Sequence, residues 1–376
     1  LLLTGCQRRP VVSWRPGTAE SVLTIAGVQR IGEPTVRVDG AQAVYTLPLP
    51  GTRLSDLPRI DQGSLHAAGD GLELRLPWRY AARAEQAGDT ARLILTVAGQ
   101  ARRETPLDAG ATLITLETAQ PVGPTRVFGV RLAADQLYRL RLCAAGRKMS
   151  ARATVATMGR GHTAALNGGY FDPDGGSPLG ALRLDGEWIS QPLLDRTCLL
   201  LEAGRRPRLE ALSWRTEVQT PLLKLPVETV NHTPSDDADC AVTSDWWDGT
   251  DLFRGMTRTA LGKLSIWHRV PLDSPPTLVW RTEPEATGNV LGGGPRLLRE
   301  GAIVALEAAE KEQFKPDIRD SVTARSGLGI LPDGGVILAF GEAQPPYSRG
   351  FGLADWAEVF RALGCVEAMN LDGGRS

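Results

Sequence analysis

The chain has 376 residues, which exceeds the roughly 100–200 residues of a typical single domain and predicts two domains. Its 42 basic and 43 acidic side chains nearly cancel, which excludes a broad basic field for gripping nucleic acid or an anionic membrane surface, so any anionic ligand must be met by local groups. With 42 glycines and 26 prolines, the composition favours many short strands over a helix bundle.

Residues 1–12 come first, and Leu1-Leu2-Leu3-Thr4-Gly5-Cys6 reads as the end of an apolar export segment with small residues before a cysteine. The pattern resembles a bacterial lipobox, which implies lipidation at Cys6 and an exported protein, lipid-anchored or extracellular. No later run reaches the roughly 18 apolar residues of a membrane span, so the only membrane contact expected is a lipid anchor. Cys143, Cys198, Cys240 and Cys365 are widely spaced, without a C-x-x-C pair or a Cys/His ligand cluster. They fit one or two disulfides or four buried thiols.

Residues 13–110 alternate short apolar runs with turn signals. Val36–Val38, Ala43–Leu47, Leu72–Leu76 and Ala91–Val97 show the period of strands, predicting a small β-rich accessory domain, a spacer or surface-binding module, that ends in the polar stretch Gln100–Gly110.

From Ala111 to Ser376 strands mix with two predicted helices, near Met149–Met158 and Leu353–Leu363. In the second, Leu353, Trp356, Ala357, Phe360 and Leu363 fall on one helical face and Gly364 closes it. A strand over Cys365–Asn370 then empties into Leu371-Asp372-Gly373-Gly374. The first is expected to act alike, ending at Gly159 and Gly161 before a strand His162–Leu166 and the turn Asn167-Gly168-Gly169. Strand ends of mixed folds are where ligands gather. The acidic stretch Ser235–Asp239 lacks the glycine and terminal glutamate of a calcium loop and reads as solvated.

Three glycine clusters punctuate this half: Asn167-Gly168-Gly169-Tyr170-Phe171, Gly292-Gly293-Gly294-Pro295 and Asp372-Gly373-Gly374. Consecutive glycines can turn backbone amides toward an oxyanion without Cβ obstruction, although each pair alone is equally a tight turn. Between them, Ala324-Arg325-Ser326-Gly327-Leu328-Gly329-Ile330 passes through Asp333-Gly334-Gly335 into Val336–Phe340, a predicted hairpin.

Taken in order, Asn-Gly-Gly-Tyr-Phe, Gly-Gly-Gly-Pro, Arg-Ser-Gly-Leu-Gly with its Asp-Gly hairpin, and Asn-Leu-Asp-Gly-Gly after a helix resemble the phosphodiester glycosidase (NAGPA-type) family over roughly 115–376. The resemblance implies an α+β fold, a mixed, mostly antiparallel sheet with a few helices, over residues 111–376. Relatives usually have Arg-Thr where Arg325-Ser326 stands, a His-Pro pair where Thr323-Ala324 stands, and a third glycine where Arg375 stands. They also continue into a further strand beyond Ser376.

The implied reaction is hydrolysis of a sugar-1-phosphodiester between the anomeric carbon and the phosphate oxygen. Arg325 is expected to hold the phosphate, helped by the amides of Gly168, Gly169, Gly292, Gly293, Gly294, Gly373 and Gly374, with Tyr170 and Arg375 as further contacts. Asp372 is expected to serve as nucleophile or general base, Asn167 to orient a sugar hydroxyl or phosphate oxygen, and Ser326 to supply a hydroxyl. Asp372 is equally a residue that caps a turn. Asp172, Glu187 and Asp320 are weak candidates for a second carboxylate. No cofactor is implied, and a divalent cation such as calcium is left undecided. The expected partner is a phosphoglycan or sugar phosphate, not nucleic acid. The rival readings are a glycan- or cell-wall-binding envelope protein without turnover, and a phosphodiesterase that cuts on the phosphorus side.

Overall fold

A computed structural model describes residues 10–15, 20–60, 63–96, 101–108, 110–120, 123–249 and 253–373. Cys6, Gly374 and Arg375 therefore lie outside the described residues. The fold is mostly antiparallel β-sheet with few helices.

The alternating runs before residue 97 form two four-stranded antiparallel sheets. Period-2 sequences send one set of side chains inward, and Leu23, Ile25, Tyr45, Leu47, Leu72, Leu74, Leu93 and Leu95 are almost completely buried in a cluster drawn from residues 12–95 alone. The stretch expected to be a boundary is not a linker. Ala101–Asp108 is a strand paired antiparallel with Ala111–Gln120 in the large sheet that follows, and its alternation of Arg102, Glu104 and neighbours reads as polar only because its side chains are exposed.

That large sheet has eight strands in the order Ala302–Ile303, Arg296–Arg299, Glu367–Leu371, Arg325–Ile330, Val336–Gly341, Gly123–Leu132, Ala111–Gln120 and Ala101–Asp108. Its two innermost C-terminal strands pair in register Ser326↔Leu371 through Ile330↔Glu367. The expected hairpin is present. Gly334 turns at φ 94°, Leu331 and Gly335 close the loop, and the Asp333 carboxylate accepts from the Gly335 amide at 2.8 Å.

One face of this sheet packs on the helix Leu353–Ala362, which buries Leu353, Trp356, Ala357 and Phe360 as its periodicity predicts. Gly327 and Gly329 lie beneath Phe360, where a Cβ would collide with the ring. The other face carries Leu328, Ile330, Met369 and Leu371 against Leu199 and Leu209 of a five-stranded sheet.

The first predicted helix shrinks to Val155–Met158, opened by Thr154, whose hydroxyl accepts from the Thr157 amide at 3.2 Å. Upstream, the Met149 amide donates to the Trp246 carbonyl, and Ser150 bonds Asp248 through both its amide and its hydroxyl, which draws this stretch away from helical geometry. His162–Leu166, expected as a strand, has no ladder partner and is irregular. Only the C-terminal half of the expected pair of helix-strand units exists. Cys143, Cys198, Cys240 and Cys365 are free thiols; the last three are buried, and burial pushes each up to about 12. No helix of the described residues is long and apolar enough to cross a membrane.

Candidate active site

The site sits where the strand Glu367–Leu371 ends beside the start of Arg325–Ile330. Leu371 pairs with Ser326, so Asp372 and Arg325 follow at the same strand end. Three bonds hold Asp372 there. Its amide donates to the Gly168 carbonyl at 3.0 Å, its carbonyl accepts from the Ser326 hydroxyl, and the Gly373 amide bonds its carboxylate. Gly373 itself must be a glycine, because a Cβ would press on the Arg325 and Ser326 backbone. Burial pushes the Asp372 carboxyl up to about 6, the Gly373 amide pulling weakly the other way.

Ser326 is 1% exposed, and its hydroxyl is committed to the Asp372 carbonyl. The hydroxyl expected to serve the site is thus engaged with the backbone beside Asp372. Arg325 is 3% exposed. Its Nε donates to the Phe351 carbonyl at 2.9 Å and its Nη2 to those of Ile318 and Ser321 at 2.9 and 2.7 Å, so the two edges needed for a bidentate phosphate grip are largely spent on backbone. Burial lowers its pKa, and the neighbouring Tyr170 opposes that.

Tyr170 ties the glycine turns together. Its hydroxyl donates to the Gly294 carbonyl at 2.8 Å and accepts from Asn370 Nδ2 at 2.7 Å. Its ring packs on Phe314, centroids 5.5 Å apart. The hydroxyl feels the charges of Arg325, Asp372 and Arg196, while burial raises its pKa strongly. Asn370, two residues before Asp372 on its strand, is 2% exposed, and its Oδ1 has no hydrogen-bond partner. Sequence reasoning did not single out Asn370, although its i, i+2 spacing from Asp372 was a usable signal.

The turn Gly292–Gly294 is not a nest of free amides. The three amides donate to the carbonyls of Ala181, Thr197 and Asn370 at 2.6, 2.9 and 2.9 Å. Its glycines serve close approach instead. A Cβ on Gly292 would strike Ala181, and one on Gly294, at φ 97°, would strike the Glu312 carboxylate. Glu312, a second residue that the sequence did not flag, is 5% exposed and accepts from the Thr197 hydroxyl at 2.8 Å and from the amides of Arg296 and Thr197 at 3.0 and 3.1 Å. Gly169 packs against the Gly292 carbonyl and Gly168 against Leu291.

Asp172, Glu187 and Asp320 do not join Asp372. Asp172 accepts from the amides of Asp174 and Gly175, Glu187 binds Arg147 and the Trp246 indole, and Asp320 pairs with Arg319. Among the described residues no three His, Cys, Asp or Glu side chains gather as a metal cage.

Asp372, Asn167, Gly168, Gly169, Tyr170 and Gly292 line one cavity of about 910 Å³, whose remaining wall comes from the irregular segment between Arg139 and Leu182 and from the sheet. Arg325 and Ser326, both buried, are not among the residues that line the cavity. Asp372 is the one carboxylate among the described lining residues, against the cations Arg139, Arg141, Lys148 and Arg152. His162 also reaches the wall, exposed.

Residues 257–376, the segment that holds Gly292–Gly294, Arg325, Ser326 and Asp372, match the phosphodiester glycosidase (NAGPA) family. A solved structure of a Synechocystis protein shares the fold at TM-score 0.61 and 19% identity, over 97% of this chain and 74% of that one. A Burkholderia pseudomallei protein described as exported aligns at 14% identity and TM-score 0.46, over 97% of this chain and 90% of that one. The catalytic domain of zebrafish N-acetylglucosamine-1-phosphodiester α-N-acetylglucosaminidase, auto-inhibited by its pro-peptide, aligns at 17% identity and TM-score 0.30, over 73% and 70%. No curated protein matches the chain in sequence.

Proposed function

We propose that the phosphodiester glycosidase domain of this chain hydrolyses a sugar-1-phosphodiester at the bond between the anomeric carbon and the phosphate oxygen. The observation that carries this reading is the isolation of Asp372 among the described residues: one carboxylate, pushed up to about 6, in a cavity whose other described charged wall groups are cations. A cationic wall draws in an anionic diester, and a carboxyl poised near neutrality suits proton transfer. As the C1–O bond breaks, the electron pair leaves with the phosphate, which needs little protonation. Asp372 either takes a proton from the attacking water or attacks C1 itself, to be released by water in a second step. Asn167, on the cavity wall, is read as orienting a sugar hydroxyl. Arg325 is read as fixing the loop carbonyls around the site and acting on the phosphate through its charge. Gly168, Gly169 and Gly373 remain candidate contacts.

Around this core we infer export with a lipid anchor at Cys6, and an accessory role for the β sheets before residue 97. Release of reducing sugar from a sugar-1-phosphodiester tests the reaction, with Asp372→Asn and Arg325→Ala as comparisons. ¹⁸O from water should enter the sugar; label in the phosphate instead would sink the glycosidase assignment. The commitment of Arg325 and Ser326 to backbone carbonyls favours a second reading, a glycan-binding protein without turnover, which predicts binding with no release.

A further inference from the structure

The cavity is much larger and more apolar than a sugar phosphate requires. Pockets for small ligands span roughly 300–1,000 Å³, and this one, at about 910 Å³, lies at the top of that range. Its sheet side offers little surface at Leu371, Leu328 and Val336, which are 3%, 2% and 1% exposed and pack with Leu199 and Leu209. The apolar surface of the cavity comes instead from the half-buried Leu140, Leu166, Leu182, Leu291 and Leu338. A lining of leucines fits an alkyl chain better than a second sugar.

Among the described residues, the cavity's cations all lie on residues 139–152. Arg139 is neutralised by Asp108 at 2.6 Å. Arg141, Lys148 and Arg152 form no ion pair among the described residues, and bond only backbone carbonyls. Three cations without ion-pair partners beside an apolar lining match an anionic head carrying an apolar tail.

The geometry points to an amphiphilic substrate: a sugar-1-phosphodiester whose second ester is a long-chain alcohol, its chain laid among Leu140, Leu166, Leu182, Leu291 and Leu338. This rests on the glycosidase reading for the head group, but the tail site can be tested without turnover. Octyl phosphate, methyl phosphate and octyl glucoside are titrated calorimetrically into the full chain and into Asp372→Asn, below the micelle threshold. Octyl phosphate should bind about 100-fold tighter than methyl phosphate and at least tenfold tighter than octyl glucoside. Ala164→Trp, which fills the cavity from its exposed wall, should erase the first difference, and Arg141→Gln with Lys148→Gln the second. A ratio below tenfold in either wild-type comparison overturns the proposal; if a variant fails to fold, the wild-type ratios decide alone. Tight octyl phosphate binding without sugar release would sink only the glycosidase reading. Release from a methyl diester with no preference for the octyl diester would sink only the tail site.

Discussion

At the residue scale, Asp372 combines two demands that oppose each other. Burial raises its carboxyl to about 6, so the charged form that the proposed reaction uses is the form the fold disfavours. Activity should climb as pH rises through about 6, and Asp372→Asn should cut turnover at least about 100-fold. Because the folded value lies above the ordinary carboxylate value, stability contributed by the neutral form is full below that value and lost as pH rises through about 6. Asp372→Asn should therefore raise the unfolding midpoint at pH 8 and change it little at pH 4, as measured by calorimetry. Glu202 behaves oppositely. It accepts from the Thr287 hydroxyl and amide at 2.6 and 3.1 Å and from Arg208 at 2.9 Å, which hold it down to about 2. Its contribution is present above about 4.5 and disappears as pH falls toward 2, so Glu202→Gln should cost about 1–3 kcal/mol at pH 7 and much less near pH 2 in denaturant titrations.

At the element scale, the glycine turns are joints between strands. Gly294→Ala adds a Cβ against a buried carboxylate at a positive φ, and should lower stability by about 2–4 kcal/mol in urea unfolding, with the loss of activity following from displacement of the Tyr170–Asn370 pair. The C-terminal helix could be read from its sequence because five apolar residues at helical spacing outweigh anything local. Met149–Met158 misled for the converse reason. Its apolar residues define no single face, Ser150 hands its backbone amide to Asp248 far away in sequence, and Thr154 caps the helix so that it starts only at Val155.

At the scale of the whole molecule, the strand-rich architecture followed from period-2 runs and turn residues, and Asp372, Tyr170 and the glycine turns were recognisable as neighbours from their order. Which amides remained free could not be read: Gly292, Gly293 and Gly294 look in sequence like an oxyanion nest, and only tertiary packing against Ala181, Thr197 and Asn370 spends their donors. Nor could the cations, since Arg141, Lys148 and Arg152 carry no motif and reach the cavity on irregular chain.

The strand Glu367–Leu371 lies inside the large sheet, held between Arg296–Arg299 and Arg325–Ile330, yet it emerges from the ribosome after both of them. Until it inserts, those two strands have a gap between them, and Asp372, Asn370 and the anchor for Ser326 are missing together. Assembly of the site is thereby tied to insertion of this strand: a polypeptide released after Gly364 should lose the proposed activity and become protease-sensitive, so that the site forms only once synthesis has passed Asp372.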